Sequence, residues 1–461
     1  MFDIGPVEER LFRELLIYNE ELGLQMTFRV AGGWVRDKLM QIPCDDIDIA
    51  IDKSSGAVFT NGFMEYLQGK SQEVHGYHVI ECNHEKSKHL ETASLKYMGL
   101  SVDFVALRTE EYTETRIPIV RTGTPQEDAN RRDITINALF YNINTKSIED
   151  YTGRGLSDIK EGKIRTPLDP METFLDDPLR ILRVLRFASR LSFEIVPEIL
   201  CVLGEKKLHS KLTQVVSKER VGYEIKKTLL QEGYKKALAA LAEYQIAQAL
   251  FPDAAVTCEE VCRFMDALEF IQSTPGHPVH GIEKTQIYLL RIFALLQNNF
   301  GARKGKETLT EHMVKENLKW TKIERTQISS IEKKSAEIDA LVDLDIPEED
   351  RLVRVARRLG EHLEHSLTLF DIQQRAKNTQ RIDIIGLYNS IVTKGYKKAY
   401  LEKHVVEFSV VKDLLQIGEK DVSRYMERCT QLSLVHKTKD LECILPLLKQ
   451  EFDLHKAEQK E

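Results

Sequence analysis

The chain has 461 residues, 42% of them hydrophobic and 30% charged, with a formal net charge of −7 at pH 7. That length implies more than one domain, and the composition excludes disordered and fibrous classes. The apolar runs are short and flanked by charge, which excludes a helical membrane span.

The seven cysteines are scattered without zinc-site spacing. Cys258 and Cys262, one helical turn apart, read as reduced helix residues. The acidic start at Asp3 resembles neither a signal peptide nor a mitochondrial presequence.

In chain order, the stripe of Leu11, Leu15, Leu16 and Ile17 predicts a helix over 7–24. Residues 28–31 read as a strand, and Gly32-Gly33 turns the chain into a helix over 34–40. Further strands are predicted over 46–51 and 102–107. Residues 134–142 begin as a helix and end as a strand. Beyond Asp176 the alternating β pattern gives way to helices over 176–193, 217–231, 234–250, 258–272, 284–297 and onward to 453. The fold class is therefore α+β, an N-terminal head with a small mixed sheet followed by an all-helical remainder.

The chemistry lies in four constellations. Asp46 and Asp48 point to one face of their strand, with Ile47 behind them. Two carboxylates so placed repel unless a cation sits between them, and Mg²⁺ takes oxygen ligands of this kind. Upstream, Gly32 and Gly33 let backbone N–H groups approach phosphate at a helix start, with Arg36 on the same helix.

Asp103, a carboxylate inside an apolar strand, is either a third metal ligand or a strand residue with a buried partner. Arg131 and Arg132 suit a triphosphate, and Asp133 a ribose hydroxyl; the plainer alternative is a solvated charged turn. Finally, Arg180, Arg183 and Arg186 recur every three residues, which keeps them on one helix face, with Asp177 one turn earlier. A carboxylate and a guanidinium together match the amino-donor-beside-acceptor edge shared by cytosine and adenine, and reject the carbonyl of uracil and guanine. The alternative is a salt-bridged helix surface.

Together these elements resemble the tRNA nucleotidyltransferases, or CCA-adding enzymes, of the bacterial and eukaryotic class, within the polymerase β-type nucleotidyltransferase superfamily. Arg29-Val30-Ala31-Gly32-Gly33-Trp34-Val35-Arg36-Asp37 with Asp46-Ile47-Asp48 is similar to that family's catalytic head motif. Arg131-Arg132-Asp133 is similar to its ribose-recognition motif, and Asp150 to Asp158 falls where the family has a flexible linker. Asp176-Asp177-Pro178-Leu179-Arg180 is similar to the nucleotide-templating motif, with Asp176 in place of the usual Glu. Ser217 to Glu224 resembles the last motif, which supports the neck. The resemblance covers about residues 25–230, and the wording at Lys86 to Ala93 is most like fungal members.

The resemblance implies a head over 1–148, a linker and helical neck over 149–232, a helical body over 233–300 and a tRNA-binding tail over 301–461. It implies addition of C, C and A to tRNA from CTP and ATP. Asp46 and Asp48 would hold Mg²⁺, with Asp103 as a third catalytic carboxylate. Gly32, Gly33, Arg36, Arg131, Arg132 and Asp133 would hold the nucleotide's phosphates and ribose. Asp177 and Arg180 would select the base, supported by Arg183 and Arg186.

For tRNA contact, Lys394, Lys397 and Lys398 interleave with aromatics, and Arg303-Lys304-Gly305-Lys306 is a second basic patch. Each is otherwise a solvated surface. His362 and His365 lack zinc-protease spacing and read as surface histidines. A monomer without membrane attachment is expected, in the cytoplasm or nucleus with a mitochondrial pool. The rivals are a poly(A) polymerase, a partial CC- or A-adding enzyme, and a non-catalytic RNA-binding protein of the same fold.

Overall fold

The computed structural model of the protein describes residues 3–70, 74–80, 92–111, 119–254 and 256–458. Residues 86–91 of the fungal-like wording lie outside them. The chain divides into two compact units, Met1–Leu250 and Phe251–Glu461.

The first unit opens with α1 (Pro6–Glu21) and is built on strands β1 (Phe28–Ala31), β2 (Asp46–Ile51), β3 (Val74–Ile80), β4 (Thr92–Tyr97) and β5 (Leu100–Ala106). A separate ribbon, β6 (Arg108–Glu111) with β7 (Ile119–Thr122), follows, then β8 (Phe140–Asn142) and β9 (Ser147–Glu149). The seven-stranded sheet runs in the order β3-β4-β5-β2-β1-β8-β9. β2 and β5 pair in parallel, with Ile47 opposite Val102, Asp48 opposite Asp103 and Ile49 opposite Phe104.

Alternation along β2 sends Ile47 and Ile49 into the core. There they join Leu11 and Leu15 of α1, Phe59 and Phe63 of α3 (Gly56–Gly69), and Phe104. The same alternation turns Asp46 and Asp48 outward. Between β1 and β2 lies α2 (Gly33–Leu39), and after the ribbon comes α4 (Pro125–Asn130), capped by Thr124.

Helices α5 (Gly155–Glu161), α6 (Pro170–Asp176), α7 (Leu179–Leu191), α8 (Pro197–Leu203), α9 (Lys206–Gln214) and α10 (Lys218–Leu230) complete the part of this unit that bears on the site. The single helix expected over 176–193 is two helices. Asp177 is extended (φ −132°, ψ 99°) and Pro178 precedes α7. The proline ring disfavours helical backbone at the residue before it, so the chain breaks at Asp177. Asp177 is therefore not one turn earlier on the arginine helix; it stands at the joint before it. The helix expected over 234–250 is likewise split into Tyr234–Glu243 and Ile246–Leu250, at Gln245 with φ 58°.

Among its described residues the second unit is helical apart from a short hairpin pairing Arg303–Lys304 with Glu307–Thr308. One core gathers Leu352, Val353, Leu359, Leu363, Leu367 and Phe370, and another Val411, Leu415, Val422, Leu432, Ile444 and Leu448. The helix expected over 284–297 is two short turns, Tyr288–Arg291 and Phe293–Leu296, in a stretch buried on every side. His362 and His365, expected at the surface, are both buried. The helix Leu363–Ala376 buries most of its circumference, so no solvent face is left for His365, and His362 is buried in the turn that leads into it. Burial, with His362 alongside, pushes the His365 pKa down to about 4. Among the described residues no helix is long and apolar enough to cross a membrane. Cys258 and Cys262 are free thiols.

Candidate active site

A cleft of about 820 Å³ in the first unit is lined by Gly33, Arg36, Asp48, Arg131, Arg132, Asp133, Asp177, Arg180, Arg183 and Arg186. The sheet supplies its acidic side. Asp48 opens onto the cleft, yet the packed walls desolvate its carboxylate, and Asp103 and Asp46 add like charge. Arg132 opposes them only in part, and the pKa rises to about 6. Asp103 accepts a hydrogen bond from Ser94 Oγ at 2.5 Å.

Among the described residues, no three carboxylate, histidine or cysteine side chains close around one point. The carboxylates form an open edge. Such an edge fits Mg²⁺, which is held by one or two carboxylates and completes its shell with water and substrate phosphate. The crowding of charge at Asp48 is what a cation would relieve.

The glycine turn is shaped by a neighbour. Gly32 has φ 66°, and a Cβ there would lie 2.7 Å from Arg132 Nη1 and 3.0 Å from the Asn137 carbonyl oxygen. Its own N–H is donated to the Leu139 carbonyl at 2.9 Å, so the glycine that faces the cleft is Gly33. Arg36 is buried: its Nε donates to Asp37 Oδ1 at 2.7 Å, Nη1 donates to Asn137, and the guanidinium lies 5.0 Å from the Phe187 ring centre. Its guanidinium lines the cleft beside Gly33.

In the Arg131-Arg132-Asp133 triplet the arginines share one buried acid, Asp128. Arg132 Nη2 donates to Asp128 Oδ2 at 2.8 Å and Arg131 Nε to Oδ1 at 3.0 Å. Burial alone would raise the Asp128 pKa; the two guanidinium groups reverse that and lower it. Asp133 is buried too. It accepts from its neighbour Ile134 N–H at 2.9 Å, from Asn137 Nδ2 at 3.0 Å and from Arg183 Nε at 2.8 Å. Burial works against its ionisation, but Arg183 and Asn137 win and hold its pKa at about 2.

Arg180, Arg183 and Arg186 do line the same cleft, Arg180 and Arg186 buried and Arg183 partly so, and each guanidinium is met by acceptors. Arg180 donates to the carbonyls of Thr173 at 3.2 Å and Arg131 at 2.6 Å. Arg183 bridges Asp133 and Glu224, and Arg186 Nε donates to Glu224 Oε2 at 2.6 Å. Phe187 lies beneath, 4.2 Å from Arg186 and 5.5 Å from Arg183. Asp177 accepts from Leu179 N–H and from Arg220 Nη2 at 2.8 Å.

The groups whose roles sequence reasoning missed are Asp128, Asn137, Glu224 and Arg220. Asp128 meets its arginines within one helical turn, whereas the partners of Glu224 and Arg220, and the Arg36 partner of Asn137, are brought in by tertiary packing.

In the second unit, Lys394 pairs with Glu349 at 3.3 Å and Lys397 with Glu364 at 2.6 Å, so much of that patch is neutralised. Lys398 is exposed. The hairpin residues Arg303, Lys304 and Lys306 are exposed as well.

Residues 28–165 match the family model of the poly A polymerase head domain, and residues 206–258 that of the probable RNA and SrmB-binding site of polymerase A. The chain is 47% identical over 256 residues to the mitochondrial CCA tRNA nucleotidyltransferase of Saccharomyces cerevisiae, covering 53% of this chain and 47% of that one. It spans about half the length of the curated relatives it matches. Its fold is similar along 97% of its length to a CCA-adding enzyme in an apo form, with a TM-score of 0.69 at 22% identity and 96% of that chain covered. The Thermotoga maritima CCA-adding enzyme complexed with tRNA shares the fold with a TM-score of 0.66 at 23% identity, again over 97% and 96%. Over residues 28–165 and 206–258 the chain is thus similar to a poly A polymerase head and its RNA-binding segment, and over about half its length to curated CCA tRNA nucleotidyltransferases.

Proposed function

We propose that this protein adds C, C and A to the 3′ end of tRNA from CTP and ATP, releasing pyrophosphate, with its own side chains in place of a nucleic-acid template. The observation that carries the reading is one cleft lined by Asp48, the Arg131–Asp133 triplet, Asp177 and the arginine face of α7. Acidic, phosphate-binding and base-reading groups there face one another across the space a nucleotide would need. The relatives' names and the neighbour bound to tRNA support tRNA as the acceptor.

In this account Asp46 and Asp48, with Asp103 opposite, hold Mg²⁺, which when bound would activate the 3′-hydroxyl and neutralise the triphosphate. Gly33, Arg131 and Arg132 bind phosphate. Asp133 is committed to Arg183, so its part is to orient the cleft and to meet a ribose hydroxyl with its remaining lone pairs. Asp177 and Arg180 read the base, and Arg183 and Arg186 with Glu224 keep α7 in place.

For the tRNA body, the hairpin at Arg303, Lys304 and Lys306 is the better phosphate surface, because Lys394 and Lys397 already face carboxylates. A mitochondrial pool accords with the yeast relative's name, beside a cytoplasmic or nuclear one. The matched head model's name favours polyadenylation as the second reading. A non-catalytic role fits poorly with an intact carboxylate strand.

The test is Asp46→Ala and Asp48→Ala on the full chain with tRNA lacking its CCA. Both should lose nucleotide addition by roughly a thousandfold or more while tRNA binding persists, the scale of a metal-held charge in the transition state. Undiminished turnover would show that the chemistry lies elsewhere.

A further inference from the structure

We propose that Arg220 is the positioning residue behind base choice: from α10 it fixes the plane of the Asp177 carboxylate toward a base bearing an exocyclic amino group. This rests on the reading that Asp177 contacts the base. Asp177 belongs to no helix. It sits extended at the joint between α6 and α7, where backbone alone holds a side chain poorly. Two bonds define its direction. Leu179 N–H donates to Oδ1 at 3.1 Å, a local contact about which the carboxylate can still pivot. Arg220 Nη2 donates to Oδ2 at 2.8 Å from 43 residues away, and this second bond removes the pivot.

Each carboxylate oxygen keeps a further lone pair, so the fixed group can still accept from an amino donor. The anchor is itself anchored. Ser217 Oγ accepts from Arg220 N–H at 3.4 Å at the start of α10, and Glu224, one turn on, holds Arg183 and Arg186 of α7. Asp177 and Arg180 are thus both referenced to one α7–α10 frame. The ion pair is also too open to be a main support of the fold: the Arg220 side chain is 42% exposed. It nevertheless lines the cleft.

The experiment compares wild type, Arg220→Ala, Arg220→Gln and Arg220→Lys as full chains, with each NTP alone, on tRNA lacking CCA for CTP and UTP and on tRNA ending in CC for ATP and GTP. kcat and KM, tRNA affinity and melting temperature are all recorded. The expected result for Ala and Gln is a fall of about tenfold in the preference for CTP and ATP over UTP and GTP, the scale of one lost charge-assisted hydrogen bond. The loss should fall on nucleotide KM, with tRNA affinity and melting temperature held, and Lys should recover part of it. A selective wild type with an equally selective Arg220→Ala overturns this inference alone, as does a defect confined to tRNA affinity. A wild type that does not choose C and A overturns the underlying reading and this one with it.

Discussion

Arg183 Nε donates to Asp133 at 2.8 Å and so ties the arginine helix to the arginine triplet that follows α4. Removing the cation by Arg183→Ala leaves a buried carboxylate. The expected loss is about 1–3 kcal/mol, below that of a fully buried pair because Arg183 is a third exposed. The pair also sets an acid limit. A carboxylate held at about 2 against an ordinary 3.8 contributes stability above pH 3.8 and loses it as pH falls through about 2. Denaturant unfolding from pH 2 to 7 should show that component in wild type and not in Arg183→Ala; identical profiles would refute it.

Gly32→Ala should impair both fold and activity. The new methyl group would meet Arg132 Nη1 at 2.7 Å, on a backbone with φ 66°. A cost of about 1–3 kcal/mol is expected from the strained backbone, with the displaced arginine added to it. Gly23→Ala, at φ 61° with open space around it, carries the backbone term alone and is the control. Equal melting temperatures for the two variants would contradict the assigned contact.

How much of this was legible in the residues? The strand bearing Asp46 and Asp48 was, because period-two alternation decides which side chains face the core. The glycine turn and the arginine spacing were legible for the same local reason. The break at Asp177 was written in Pro178, but the three-residue arginine rhythm outweighed it. The pairing of Asp133 with Arg183, and of Glu224 with Arg183 and Arg186, joins positions about 40 to 50 residues apart, which no local pattern encodes. His365 was misread because a helix buried nearly all round gives no amphipathic signal, and His362 with it because it leads into that helix.

His365 makes the second unit sensitive to mild acid. Its folded pKa, about 4, lies below the ordinary 6.5, so the unfolded chain takes up the proton first. Stability is therefore lost as pH falls from about 6.5 toward 4, at no more than about 1.4 kcal/mol per pH unit. Urea titrations of wild type and His365→Leu should diverge over that window, with the leucine variant the flatter. Parallel curves would rule the histidine out.

Replacing Arg303, Lys304 and Lys306 with alanine should weaken tRNA binding and flatten its salt dependence by about two to three units of log–log slope. Replacing Lys394 and Lys397 should do less, since Glu349 and Glu364 already meet them. The reverse ranking would move the RNA path to the lysine patch.

On the proposed function this chain chooses C and A without a template. That choice is measured most directly by sequencing the 3′ ends of tRNA lacking CCA after reaction with all four NTPs at equal concentration and Mg²⁺. Ends that read CCA and then stop are expected. Runs of A, or uridine within the added residues, would contradict the proposed function.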